Sequence, residues 1–198
     1  APIVISEEWI NEIRSRQPEL RPQKLERYHR EYDIPDYDAE IITGTKHMAD
    51  LFEETTKICG KPKKVSNWLM GETMRLLKEN SMEAEEICFA PEHLAALIEL
   101  VDAGTINGSV AKEVFEEMFK SDVDPEKYVE EKGLKVVNDE GALRETIEKV
   151  IAENPQSVED YHNGKKKAMG FLVGQTMKAM KGKANPAMVN AILQELLA

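Results

Sequence analysis

Length, composition and charge favour a soluble globular chain. The sequence has 198 residues, 41% hydrophobic and 32% charged, which suits one large or two small domains. No apolar run approaches the roughly 20 residues of a membrane span, and the start Ala1-Pro2-Ile3 lacks the features of a secretory signal, so we expect a cytoplasmic protein. The net charge of −11 argues against a protein that coats nucleic acid indiscriminately.

The first half of the chain is predicted to be helical. Aromatic residues make up only 6% of the sequence, and strand-type alternation is almost absent. Ser6 is a good N-cap for a short amphipathic helix with Trp9, Ile10 and Ile13 on its apolar side. The next helical pattern contains Leu25, Tyr28, His29 and Tyr32 and ends before Pro35. A further helix can begin at Asp36-Tyr37-Asp38.

Four more helices follow in this half. One runs from Thr45 to Cys59 and stops at Gly60, and the next begins at Lys61-Pro62. Pro91 begins a helix that stops at Gly104, and Asn107-Gly108 opens another. Their predicted inward residues are Met48, Leu51, Phe52, Thr55, Ile58, Val65, Trp68, Leu69, Leu76, Leu77, Leu94, Leu97, Ile98, Val101, Val110, Ala111, Val114, Phe115, Met118 and Phe119.

A domain boundary is predicted at the short polar segment Ser121–Pro125. We expect an all-α fold with residues 21–123 as a helical bundle and 124–198 as a small tail domain of three or four helices. In the tail, Leu143, Ile147, Val150 and Ile151 mark one helix that closes at Asn154-Pro155. A short connector with Val158 and Tyr161 follows, then a turn at Asn163-Gly164. A long helix over 165–181 and a last helix from Asn185-Pro186 complete the chain.

The charge is unevenly distributed along the tail. Residues 121–163 carry 12 acidic and 5 basic residues, a balance of −7, whereas residues 164–198 carry 6 lysines and Glu195, a balance of +5. An acidic protein with a basic end can bind a polyanion through that end alone.

The predicted helix 165–181 separates two kinds of residue on a helical wheel. An apolar arc contains Ala168, Met169, Leu172, Val173, Thr176, Met177, Ala179 and Met180. We call the opposite arc the basic face: Lys167, Gly170, Gly174, Lys178 and Lys181. A glycine inside a helix costs about 1 kcal/mol relative to alanine, so two on one face require an explanation. Either the missing side chains admit a phosphate backbone near the lysines, or they admit a neighbouring helix with the lysines as a solvated rim.

Lys165, Lys166 and Lys183 extend the positive charge, and Gln175 adds an amide near the same face.

Other candidates for chemistry are weaker. The histidines His29, His47, His93 and His162 lack a metal-binding spacing, and no Walker-type glycine loop exists. Cys59 and Cys88 lack a C-x-x-C spacing, so we expect buried free thiols and no cysteine zinc site. The group Lys61, Lys63 and Lys64 is either a small anion patch or simply solvated. We therefore predict no catalytic or metal-binding residue.

Several segments resemble one known family. The run from Asn154 to Pro186, with its core Asn163-Gly164-Lys165-Lys166-Lys167-Ala168-Met169-Gly170, resembles the tail domain of the B subunit of aspartyl/glutamyl-tRNA amidotransferases. The stretches Ile34-Pro35-Asp36-Tyr37-Asp38-Ala39, Val65-Ser66-Asn67-Trp68-Leu69-Met70-Gly71-Glu72 and Ile106-Asn107-Gly108 agree with it. The resemblance covers nearly the whole chain and identifies residues 1–20 as the end of a catalytic cradle domain that is otherwise missing.

The resemblance implies a function in translation. In that family an ATP-dependent carbon–nitrogen ligase with glutamine as amido donor converts Glu-tRNA(Gln) or Asp-tRNA(Asn) to Gln-tRNA(Gln) or Asn-tRNA(Asn). It implies partner subunits A and C and a tail that faces tRNA. ATP and Mg²⁺ would belong to the full-length subunit, with no cofactor in this C-terminal portion. The expected tRNA-binding residues are Lys165, Lys166, Lys167, Gly170, Gly174, Gln175, Lys178, Lys181 and Lys183. The alternative is a helical protein-interaction module that docks partner subunits without RNA contact.

Overall fold

The computed structural model describes residues 6–198. Within them the fold is all-α, as predicted, and the sole strand-like pairing described is a parallel bridge between Val137 and Ala184. The helices are α1 (Glu7–Arg16), α2 (Arg21–Tyr32), α3 (Asp36–Ile42), α4 (Lys46–Cys59), α5 (Pro62–Trp68), α6 (Met74–Asn80), α7 (Pro91–Asp102), α8 (Gly108–Ser121), α9 (Pro125–Glu131), α10 (Glu140–Glu153), α11 (Pro155–His162), α12 (Lys166–Ala179) and α13 (Pro186–Leu197).

Local sequence signals set most helix ends where we predicted them. Ser6 and Thr45 accept backbone hydrogen bonds at the starts of α1 and α4, and Asn107 does so for α8. Gly60 and Gly104 stop α4 and α7 in the left-handed region, at φ of 67° and 70°. Such caps satisfy backbone groups that a helix leaves unpaired at its ends.

Three elements differ from the prediction, and residues 124–198 contain five helices instead of three or four, because α9 follows the polar boundary segment directly. The helix after Lys61 is interrupted by a π-helical turn, Leu69–Thr73, that joins α5 to α6. Gly71 lies in this turn, where its low helix propensity reduces the cost of leaving α geometry. The predicted connector around Val158 is instead the helix α11, which begins at Pro155.

A first hydrophobic cluster occupies residues 28–134. Aromatic rings form much of it: Tyr28 lies 5.1 Å from Phe52, and Phe115 lies 5.2 Å from Trp68, between ring centroids. Most predicted inward residues are buried there, but Ile58 is 53% exposed. Ile58 is the second-last residue of α4 and lies beyond Thr56, the last buried residue of that helix.

A second hydrophobic cluster joins α10, α12 and α13 through Leu143, Ile147, Leu172, Val189 and Leu193, all fully buried. The change from the first cluster to the second falls between Leu134 and Leu143, because α9 packs on α7 and α8. The domain division at 123/124 stays a prediction, as does the assignment of residues 1–20 to a cradle domain.

The two clusters meet at a joint that we define as Asn107, Val136, Val137 and the loop 182–184. The amide of Val136 donates to Thr105 O at 2.8 Å, and that of Val137 donates to Lys183 O at 2.7 Å. The side chain of Asn107 donates from Nδ2 to Gly182 O while its Oδ1 accepts from the Val110 amide at 3.0 Å. One asparagine therefore caps α8 and holds the tail loop.

Candidate nucleic-acid interface

Helix α12 has one buried side and one open side. Ala168, Leu172 and Thr176 are buried, and all members of the basic face are exposed. The predicted separation on the wheel is confirmed, except that Ala179 is exposed. Ala179 is the last residue of α12, where the chain turns away toward the loop before α13.

The two helical glycines face open space. A Cβ atom at Gly170 or Gly174 would have no atom of the described chain within 4 Å apart from the adjoining residues and the backbone of α12 itself. The interpretation that these glycines admit a neighbouring helix of this chain is therefore wrong for residues 6–198. The absence of side chains leaves the α12 backbone accessible to a molecule outside the chain.

The lysines of this region differ from most other cations in the protein. Among residues 6–198, ion pairs hold most lysines and arginines outside the tail, as Arg27 is held by Glu19 and Glu53. Within residues 6–198, no ion pair is formed by five lysines of the tail: Lys166, Lys167, Lys178, Lys181 and Lys183. The sequence from Gly164 to Gln194 has no acidic residue, so no carboxylate within this segment offsets the charge of these ammonium groups.

Lys165 differs from its neighbours. Its Nζ atom donates to Asp160 Oδ1 at 2.8 Å, and this hydrogen bond lowers the pKa of Asp160. Lys166 and Lys167 form the first turn of α12, where backbone amides already carry partial positive charge and a cation is unfavourable. Positive charge concentrated at that end is suited to an anion.

The remaining predicted residues lie toward the other end of α12. Gln175 is half-buried at the edge of the basic face. Lys181 and Gly182 both have positive φ, 53° and 73°, and end the helix. Lys183 lies in the joint, where its carbonyl accepts from Val137, so only its side chain can add to the basic face.

Sequence reasoning missed Phe171. This ring lies between the two glycines and is 46% exposed, although the wheel assigned it to neither arc. Its position outside the apolar arc of the helical wheel was the one feature of the sequence that could have indicated an exposed ring. The basic face thus has an exposed aromatic ring along its margin.

The other groups singled out in the sequence lie elsewhere and are mostly paired. Lys61 and Lys64 bind Asp102, and Lys63 binds Asp33 at 2.6 Å, so the suggested anion patch has acidic partners. Cys88 is exposed and Cys59 is half-buried, contrary to the expectation of buried thiols; in the extended segment before α7 it is the residues on either side of Cys88, Ile87 and Phe89, that are buried.

Three of the four histidines lie beside a polar group of another residue. His93 Nδ1 lies 2.7 Å from Asp122 Oδ1, and His162 Nε2 lies 2.9 Å from Leu197 O. His29 Nδ1 lies 3.3 Å from Asp36. Within residues 6–198, no three His, Cys, Asp or Glu side chains are arranged to hold a metal ion. No helix there is long and apolar enough to cross a membrane.

Comparison with known proteins defines the class. The family described as "GatB domain" matches residues 50–197. The chain is 71% identical over 196 residues to the B subunit of the aspartyl/glutamyl-tRNA(Asn/Gln) amidotransferase of Agathobacter rectalis and 62% identical to that of Lachnoclostridium phytofermentans. The B subunit of the same enzyme from Thermoanaerobacter sp. is 56% identical.

Each comparison covers 99% of this chain and 41% of the relative. The chain therefore spans about two fifths of the length of these relatives. Their shared class is that of amidotransferase subunits. The chain belongs to the family of aspartyl/glutamyl-tRNA(Asn/Gln) amidotransferase B subunits.

Proposed function

We propose that this chain is the tRNA-binding part of a glutamine-dependent amidotransferase that converts Glu-tRNA(Gln) or Asp-tRNA(Asn) to Gln-tRNA(Gln) or Asn-tRNA(Asn), and that it is not catalytic alone. The observation that carries the proposal is the basic face of α12, exposed and without acidic partners in residues 6–198. The family to which the chain belongs supports it, since the relatives are named for tRNA(Asn) and tRNA(Gln).

The proposed contact is mainly electrostatic. Lysines that neutralise phosphate groups release the counterions condensed on the RNA, which gives a binding constant that falls with salt. Gly170 and Gly174 let the sugar–phosphate backbone approach α12 without a side chain between them. Structured RNA is recognised largely by shape and phosphate contacts, which fits a face with many cations and few directional groups.

The rest of the proposal follows from the family. The partners are tRNA(Gln) or tRNA(Asn) and the amidotransferase subunits A and C, in the cytoplasm. The ATP and Mg²⁺ that the reaction needs would bind the portion of the subunit outside this chain.

A charge-reversal experiment tests the proposal. In the full 198-residue chain, Lys167→Glu with Lys178→Glu should weaken tRNA binding and reduce the slope of log affinity against log salt by about one for each phosphate that is no longer neutralised. The matched control is Lys57→Glu with Lys78→Glu, which changes the net charge equally at two exposed lysines of α4 and α6 without ion pairs in the described chain. Equal affinity of both double variants in filter binding would contradict the proposal.

The alternative, a protein-interaction module, is favoured by α1. Its apolar residues Trp9 and Ile13 are 51% and 40% exposed, and no α1 residue is buried in the described chain. An unpartnered apolar helix side is suited to another polypeptide. Capture of this chain by subunits A and C without RNA, abolished in Trp9→Ser with Ile13→Ser, together with no electrophoretic shift of tRNA, would favour this function.

A further inference from the structure

Phe171 is exceptional among the phenylalanines of this protein. The chain has 5 phenylalanines. Phe52, Phe89, Phe115 and Phe119 are at most 6% exposed, whereas Phe171 is 46% exposed. Leaving a large apolar ring in water forgoes the stabilisation that burial would supply. Its exposure therefore suggests a role in contact with another molecule.

The surroundings of Phe171 define what that molecule can be. Gly170 precedes it and Gly174 lies three residues on, so no side chain at these two positions shields the ring. Lys167 lies four residues before Phe171 and Lys178 seven residues after it, on the same side of α12. The ring is thus a flat apolar surface with an ammonium group toward each end of the helix.

A protein partner fits this surface less well than RNA does. Lysine is depleted from the cores of protein–protein interfaces, because burying an ammonium group requires an acidic partner. A single-stranded nucleotide segment satisfies both parts of the surface: each base offers a flat face for stacking, and each linkage offers a phosphate for a lysine. Paired bases in a duplex hide their faces inside the stack, so the nucleotide concerned must be unpaired.

We propose that Phe171 is a stacking residue for an unpaired base of the bound RNA, whose adjoining phosphates are neutralised by Lys167 and Lys178. This inference rests on the proposed function and deepens it, since it names the part of the RNA that the basic face recognises. A loop or another unpaired segment of the tRNA lies against α12, and stacking adds affinity that salt does not screen.

The test compares two synthetic RNAs of equal phosphate number, a hairpin with an unpaired loop and a blunt duplex, binding to the full 198-residue chain. Wild type should bind the hairpin more tightly. Phe171→Ala should weaken hairpin binding roughly 5-fold or more, the low end for base–aromatic stacking, and leave duplex binding and the salt slope unchanged. Phe171→Tyr should retain the preference, and Phe171→Leu should lose it.

Controls separate this inference from the proposed function. Tyr37→Ala removes another exposed ring, 69% exposed on α3, and should bind both RNAs as wild type does. Equal binding of the two RNAs by wild type, or full binding by Phe171→Ala or Phe171→Leu, would overturn the stacking role while leaving salt-dependent binding to the lysines intact. No binding of either RNA or of tRNA by wild type would overturn the proposed function, and the stacking role with it.

Discussion

Asn107 offers a sharp test of how the two hydrophobic clusters are joined. Its Oδ1 caps α8, and its Nδ2 donates to Gly182 O. Asn107→Ala removes both hydrogen bonds, and we expect a decrease of about 2 kcal/mol in stability from the cap and one further hydrogen bond. Asn107→Asp keeps the cap, because a carboxylate accepts from Val110 equally well, but it removes the donor to Gly182 at a cost of about 1 kcal/mol.

The assay is site-resolved amide hydrogen exchange at pH 7, since exchange reports local opening. In Asn107→Asp the amide of Val137, bonded to Lys183 O, should exchange roughly 5-fold faster, while that of Val110 stays protected. In Asn107→Ala both amides should lose protection. Unchanged exchange of Val137 in Asn107→Asp, or equal deprotection of Val110, would refute the assignment of two separate tasks to this side chain.

Three further predictions concern stability. Glu72 accepts hydrogen bonds from Lys112 at 2.9 Å and Arg75 at 2.7 Å, and these bonds lower the pKa of Glu72. Glu72→Gln should therefore lower the free energy of urea unfolding by about 1–3 kcal/mol at pH 7, and this difference should shrink as the pH falls below 4.5, the ordinary pKa of a glutamate. A difference that does not change with pH would contradict this reasoning. Gly174→Ala should raise the free energy of unfolding by about 1 kcal/mol because its Cβ enters open space, and destabilisation would show a close contact. A chain of residues 1–136 should melt cooperatively and should be about 3 kcal/mol more stable than a chain of residues 1–123, because the longer chain keeps the buried residues of α9. Equal melting temperatures of the two chains would refute the packing of α9 on the first cluster.

The linkage direction for Glu72 follows from its lowered pKa. A carboxylate that the fold keeps ionised contributes stability at pH values above its unfolded pKa. That contribution disappears as the pH falls through the folded pKa and the group is protonated in both states. Glutamine has no such titration, so the acid limb of the stability curve should be flatter in Glu72→Gln than in the wild-type chain.

The sequence by itself determined the all-α class, most helix ends and the two sides of α12. These features depend on interactions within a few residues: the Thr45 cap, the Gly60 stop, and the periodicity that places Leu172 inward and Lys178 outward. The family resemblance, carried by runs of identical residue types, was likewise available before any coordinates and was confirmed.

The tertiary structure decided which segments meet. Lys61 and Lys64 share Asp102 across some forty residues, α9 covers the first cluster, and Asn107 reaches the loop at Gly182. It also decided that Gly174 faces open space, because that depends on where the other described elements of the chain lie. Helical periodicity says which side of a helix a residue occupies, whereas the burial or openness of that side depends on elements distant in sequence, whose packing only the folded chain reveals.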